Sequence, residues 1–272
     1  MPIILIAIFL LICVIAFYHG IVVRRYTIES DKLSPEQSLN IVVISDLHNT
    51  RHDKLIGMIC EINPDIIAMP GDIVDKKYTM KYVDAFLDDV SQLNIPVYYV
   101  TGNHEMGFRD TNKIKTAIRN RGITVLEDNY INIEINGIKL TIAGTDDPYK
   151  TNITRWQNKV SLKLSDMDNG DERYKILLAH RPDLWQIYET LGFDLAVSGH
   201  AHGGQVRIPF ILNGLFAPHQ GLFPKYAGGH YIHGKLNHIV SRGLSVFWNL
   251  PRVFNPPELV HIKIMSNRNI SQ

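Results

Sequence analysis

Asp46 and His48 stand one residue apart at the end of a β-branched run, NIVVIS (Asn40–Ser45). Asp72 follows Gly71 after DIIAMP (Asp65–Pro70), and Asn103, His104 and Glu105 follow Gly102 after IPVYYVTG (Ile95–Gly102). His180 closes YKILLAH (Tyr174–His180). In VSGHAHGGQ (Val197–Gln205), His200 and His202 sit one residue apart among three glycines. Taken singly these are ordinary, since a histidine at a strand end is usually a hydrogen-bonded structural residue and Gly-Asp is a common turn. Together, five segments of metal-ligand type each close an apolar run, three of them beside glycine. In α/β sheets ligands bind outside the carboxyl ends of strands, so neighbouring strands would aim these groups into one crevice.

The donors are Asp46, His48, Asp72, Asn103, His180, His200 and His202, all oxygen or imidazole nitrogen. Seven exceed the four that a structural zinc takes. They suit two ions with one carboxylate bridging, and the mixed donors favour Mn, Fe or Zn over the oxygen-seeking Ca and Mg. A pair of ions about 3.5–4 Å apart traps a hydroxide and clamps both oxygens of an in-line displacement. The chemistry expected is phosphoester hydrolysis.

The elements around these groups read as an α/β domain. DKLIGMICEI (Asp53–Ile62) and MKYVDAFLDDVSQL (Met80–Leu93) have helical periodicity and alternate with the first three strands, which argues for covered sheets. In INIEINGIKLTIAG (Ile131–Gly144), Asn136–Gly137 between alternating residues marks a hairpin. FDLAVSG (Phe193–Gly199), GQVRIP (Gly204–Pro209) and ELVHIKI (Glu258–Ile264) read as further strands, so the second half holds more β-structure.

The 272 residues suffice for one large domain, and the net charge of +1 gives no nucleic-acid footprint. With Cys13 in the apolar leader, Cys60 stands alone in the folded part, which excludes an intradomain disulfide and a thiolate cluster. From Pro2 to Val23 the chain carries no charge, about the ~20 residues a bilayer span needs. No basic n-region precedes it and no small-residue cleavage site follows. The expectation is an uncleaved single-span anchor over residues 1–25 in the cell membrane, a linker with a lead-in strand over 26–39, and the catalytic domain over 40–272. Arg24 and Arg25 after the span put that domain on the cytoplasmic side.

The set DLH, GDIVD, GNHE, a lone strand-end histidine and GHAH resembles the calcineurin-like metallophosphoesterase superfamily, over roughly Ile41 to Gln205. GHAHGGQVRIP and VSRGLSVFWNLPRVFNPPELVHIKI look like its membrane-anchored bacterial branch, some members of which hydrolyse UDP-diacylglucosamine. The resemblance implies a four-layer αββα sandwich of two mixed sheets. It implies one ion on Asp46, His48, Asp72 and His202, and a second on Asp72, Asn103, His180 and His200. His104 would be the imidazole over the phosphate, donating to a phosphoryl oxygen or protonating the leaving group, and Asp75 either orients it or caps the turn. Glu105 reads as a structural pairing, and Arg51 and His52 as surface residues.

The expected substrate is a phosphodiester or pyrophosphate, lipid-linked if the anchor holds the site at a membrane. A soluble nucleotide, a silent metal-binding scaffold for protein partners, and a heme or mononuclear zinc protein are the competing readings. The stretch 216–238 carries His219, His230, His233 and His238 with Phe216, Phe223 and Tyr226, and forms either a rim of the site or plain surface.

Overall fold

Two six-stranded sheets organise the chain, which a computed structural model describes over residues 2–75, 80–167, 172–247 and 250–267. The first sheet contains β1 (Val22–Ser30), β2 (Ser38–Val43), β3 (Ile66–Pro70), β4 (Val97–Val100) and β5 (Thr124–Val125). The second contains β6 (Asn129–Ile135), β7 (Ile138–Gly144), β8 (Tyr174–Leu178) and β9 (Leu195–Ser198). A small hairpin, β10 (Phe216–Ala217) and β11 (Gly221–Leu222), lies outside both. β12 (Gly229–His233) and β13 (Leu236–Val240) complete the second sheet, and β14 (Glu258–Ser266) returns to the first.

The strand orders are β1-β14-β2-β3-β4-β5 and β12-β13-β9-β8-β7-β6. Both sheets are mixed. β2 to β5 run parallel, as do β7, β8, β9 and β13, while β14, β6 and β12 pair antiparallel with β2, β7 and β13. Parallel strands put all their carboxyl ends on one edge, which makes a shared crevice geometrically available.

Strand periodicity decides what each face buries. Ile41, Val43, Ile66 and Ala68 point inward and meet Leu140, Ile142, Ile176 and Val197 of the other sheet. Val42, Ile67 and Met69 point the opposite way, against helices α2 (Leu55–Ile62), α3 (Lys81–Ser91) and, beyond the one-turn α4 (Asn103–Met106), α5 (Thr111–Arg119). On the far side Ala143, Leu177 and Ala196 pack on α6 (Ile153–Lys163) and α7 (Trp185–Thr190). Three cores between four layers give the expected αββα sandwich. Each buried aliphatic side chain there contributes about 1.5–3 kcal/mol.

The N-terminal expectation is corrected. Helix α1 (Pro2–Ala16) has 15 residues, about 22 Å at the α-helical rise. A hydrocarbon core is about 30 Å thick, and among the described residues no helix is long and apolar enough to cross a membrane. The apolar run is interrupted because Val22 and Val23 join β1 and pair with Glu258 and Leu259. The single-pass anchor, and the placement at a membrane built on it, lose their basis. GQVRIP is corrected too: Gly203, Gly204 and Gln205 all have positive φ, which precludes extension, and Val206 makes only a lone bridge to Val253. Trp248 and Asn249, inside one motif quoted above, lie outside the described residues.

Candidate metal centre

The chain beyond β2 continues the sheet ladder without strand geometry. The amides of Asp46, His48 and Asn49 bond to the carbonyls of Gly71, Asp72 and Ile73, so the first two ligand-type segments interlock. Asp46, His48, Asp72, His200 and His202 all take left-handed φ between 46° and 69°. A non-glycine residue held there costs of order 1–3 kcal/mol, and such strain collects at functional sites. It turns each side chain off its strand and into the crevice.

Asp46, His48, Asp72, His180 and His200 are buried, at most 2% exposed, while Asn103 and His202 are partly exposed. His48 Nε2 lies 4.0 Å from Asp46 Oδ1 and 3.6 Å from Asp72 Oδ2, and His202 Nε2 lies 3.7 Å from Asp46 Oδ1. On the other side of Asp72, His180 Nε2 is 3.2 Å from Asp72 Oδ2, 3.2 Å from Asn103 Oδ1 and 3.1 Å from His200 Nδ1. Two donor groups thus meet at one carboxylate oxygen. The chemistry of the atoms fits cations: His48 Nε2 and Asp72 Oδ2 are fully buried and make no hydrogen bond among the described residues. Such orphaned polar atoms are costly unless something positive or hydrogen-bonding fills the gap between them.

The remaining atoms of these side chains are engaged, which fixes their aim. Asp72 Oδ1 accepts from the amide of His104, and Asp46 accepts from the amide of His200 and from the Ser45 hydroxyl. His180 Nδ1 donates to the Pro70 carbonyl at 2.8 Å. His202 Nδ1 meets the Ser245 hydroxyl at 3.2 Å. Behind it Arg252, 2% exposed, donates to the carbonyls of Ser245 and Arg242, and Asn255 donates to the His202 carbonyl. Partners of this kind orient metal-binding imidazoles.

Electrostatics sort the groups. Burial pushes His200 and His202 well below the ordinary histidine range, helped by His180 and His48 respectively, so both are neutral and present a lone pair. Burial opposes ionisation of Asp72, but the charges of His180 and His48 outweigh it and hold the carboxyl well below the usual range. Burial also opposes protonation of His180, and Asp72 overrides it, raising His180 to about 10.

His104 and Asp75 stand beside this cluster. Asp75 Oδ2 is 2.8 Å from His104 Nδ1 and 3.2 Å from His48 Nδ1, so one buried carboxylate orients two imidazoles. The His104 and His48 rings meet edge to face at 4.4 Å. Burial works against protonation of His104, yet the hydrogen bond to Asp75 and the charge of Asp72 prevail and raise it above the ordinary range. Glu105, wholly buried, accepts four backbone amides: Asp72 and Gly102 on one oxygen, Ile73 and Val74 on the other. It staples the second ligand loop to the third, in line with the structural reading. Burial and the Asp72 charge push its carboxyl to about 7 against those amides. Arg51 is exposed and paired with Asp53, and His52 bonds to the Leu244 carbonyl, so neither joins the cluster.

Some residues here escape sequence reading. Arg181 and Asp147 form a buried two-bond ion pair beside His180, at 2.8 and 2.9 Å. The signal was present, because GTDDP closes the parallel strand β7 as the ligand segments close theirs. Phe247 sets its ring 5.3 Å from His48. From the 216–238 stretch His219 reaches the site, its Nδ1 2.8 Å from His200 Nε2. His230, His233 and His238 belong to β12 and β13, away from the donors.

A model of the calcineurin-like phosphoesterases matches residues 39–204. An uncharacterized metallophosphoesterase of Aquifex aeolicus is 32% identical over 261 residues, covering 91% of this chain and 93% of the relative. Phosphodiesterase YaeI of Escherichia coli is 26% identical over 252 residues, covering 89% and 87%. The crystal structure of TT1561 of Thermus thermophilus shares the fold, with a TM-score of 0.53 at 13% identity, over 77% of this chain and 91% of that one.

Proposed function

The chain belongs to the calcineurin-like phosphoesterase family and is a metal-dependent phosphohydrolase, and from that premise we propose that it hydrolyses a phosphodiester or pyrophosphate whose leaving group is apolar, a lipid-linked phosphate being the natural class. One observation carries the apolar part. A cavity of about 400 Å³ opens beside the donor cluster, lined by His48, Asp75, His104 and His202 together with Phe216, Pro218, Phe247 and Leu250. Polar chemistry and an apolar wall share one space, the combination expected of a ligand site. The name of YaeI, a phosphodiesterase, supports the bond type.

In this reading Asp46, His48, Asp72 and His202 would hold one divalent ion, and Asp72, Asn103, His180 and His200 a second, with Mn, Fe or Zn suited to the mixed donors. Such ions would activate water and neutralise charge that builds on phosphorus. The chain's own part is orientation and proton supply. Asp75 engages His104 Nδ1, so the proton that His104 can give sits on Nε2. The His104 side chain is 27% exposed and lines the cavity, where a departing alkoxide would take that proton. The apolar side chains that line the same cavity would exclude water from the leaving group.

A Mn-supplemented panel of phosphomonoesters, phosphodiesters, nucleotides and UDP-linked lipids tests the proposal. Diesters with apolar groups should have the highest kcat/KM. Turnover of soluble monoesters alone would refute the apolar assignment, and no turnover by a metal-loaded chain would favour a binding scaffold.

A further inference from the structure

The β10–β11 hairpin lies outside both sheets, pairing Phe216 with Leu222 and Ala217 with Gly221, and the reaction described so far makes no use of its turn. It reaches the centre at two points. Phe216 and Pro218 line the cavity, and His219, at the turn, brings Nδ1 to 2.8 Å from His200 Nε2. His200 turns its other nitrogen, Nδ1, toward His180 Nε2 at 3.1 Å, on the donor side.

We propose that His219 is a positioning residue that acts through His200, fixing its tautomer for the second ion and tying the cavity wall carried by the hairpin to that ion's site. The proposal rests on the reading of His200 as a ligand. An imidazole that gives its Nδ1 lone pair to a cation carries its proton on Nε2. A partner that accepts that proton in a hydrogen bond holds the ring in the productive tautomer and orientation. His219 Nδ1 stands where such an acceptor is needed. The same bond ties the hairpin turn to the cluster, beside the Leu215 amide's bond to the Gly204 carbonyl two residues past His202, so the segment that carries Phe216 and Pro218 is anchored to both donor groups.

The hairpin has supports of its own. The Gln220 side chain donates to the Tyr226 carbonyl and accepts from its amide, and the Phe223 amide bonds to the Leu215 carbonyl. Removing the His219 ring therefore cuts the tie without unravelling the segment. His219 has φ +61°, a region that glycine occupies freely and asparagine better than most residues. His219→Gly removes the acceptor with no backbone strain. His219→Asn keeps the left-handed turn and sets Oδ1 near the position of Nδ1.

The test titrates the full chain, stripped of metal, with Mn²⁺ by calorimetry, and follows Co²⁺ binding by its visible spectrum. For His219→Gly, one of two sites should weaken by about 10–100-fold, the usual effect of losing an outer partner, with the other unchanged. His219→Asn should stay within a few-fold of wild type. At saturating Mn²⁺, His219→Gly should raise KM for bis(p-nitrophenyl) phosphate more than it lowers kcat. Wild-type Mn²⁺ affinity in His219→Gly would overturn the proposal, as would equal losses in the glycine and asparagine variants. If the wild-type chain hydrolysed no diester, the substrate reading would fail while the titration still decided the role of His219.

Discussion

A single methyl group at Gly102 measures how closely the second and third ligand loops interlock. Gly102 has extended backbone, φ −98° and ψ −173°, which alanine adopts without strain. A Cβ there would lie 2.6 Å from the Asp72 amide nitrogen and 2.7 Å from Asp72 Cγ. It would also strike Asp72 Oδ1, the nearest atom; ordinary contact begins at 3.4 Å, so the Asp72 carboxyl must retreat by more than about 0.7 Å. Metal sites tolerate departures of roughly 0.2 Å from proper ligand distances. Because Asp72 Oδ2 serves both donor groups, Gly102→Ala should weaken both ions at once. A misplacement approaching 1 Å is worth about 100-fold in rate, and overpacking of this kind destabilises by about 1–3 kcal/mol. Gly199→Ala is the control. Its methyl would strike the Ser45 hydroxyl and Asp46 Oδ2, which belongs to the first donor group and accepts from the His200 amide of the second, so it should weaken the first ion most. Metal content after gel filtration, with turnover of bis(p-nitrophenyl) phosphate in excess Mn²⁺, reads both. Two ions and turnover within about threefold of wild type in Gly102→Ala would refute the reasoning, since rates that close differ by less than about 1 kcal/mol.

His104→Ala should lower kcat by about 100- to 10,000-fold with metal content unchanged, as removal of a general acid does; metal analysis beside kinetics separates this from ligand loss. Asp75→Asn should move the alkaline limb of the kcat profile to lower pH. Asp75 holds His104 raised against burial, so the protonated donor persists to higher pH only while that carboxylate is present; an unmoved limb at saturating metal would count against the pairing. Chelation should lower the unfolding temperature, because a ligand at 100 times its Kd stabilises by about 2.7 kcal/mol per site. An unchanged melting curve in EDTA would mean that the centre holds no stabilising ion.

Much of the centre was legible because its grammar repeats. An apolar run, a turn and a ligand-type residue recur after β2, β3, β4 and β9, and periodicity found α2, α3 and the β6–β7 hairpin within a few residues. Asn136 and Gly137 both adopt positive φ, as the turn requires. Helices α5 and α6 went unread since their mean polarity hides a single apolar stripe, Ile114 and Ile118 in one, Trp156 and Val160 in the other. The apolar leader misled because composition cannot show where a backbone starts pairing: Val22 looks like membrane and is sheet. His219 and Arg252 could not be placed either, for each takes its position from a contact across 19 residues of chain or from a loop whose path sequence does not encode.

The place of β14 has a consequence for how the molecule is made. This nine-residue strand inserts between β1 and β2, although every candidate ligand precedes residue 203. A growing polypeptide can therefore complete all its candidate ligands and still have a gap in the sheet whose strand ends carry Asp46, His48, Asp72 and Asn103. Until β14 is synthesised, β1 and β2 expose unpaired edges, which are sticky. Maturation thus waits for residues far downstream of the centre, and a premature stop shortly before residue 258 would abolish the enzyme while sparing its entire set of candidate ligands.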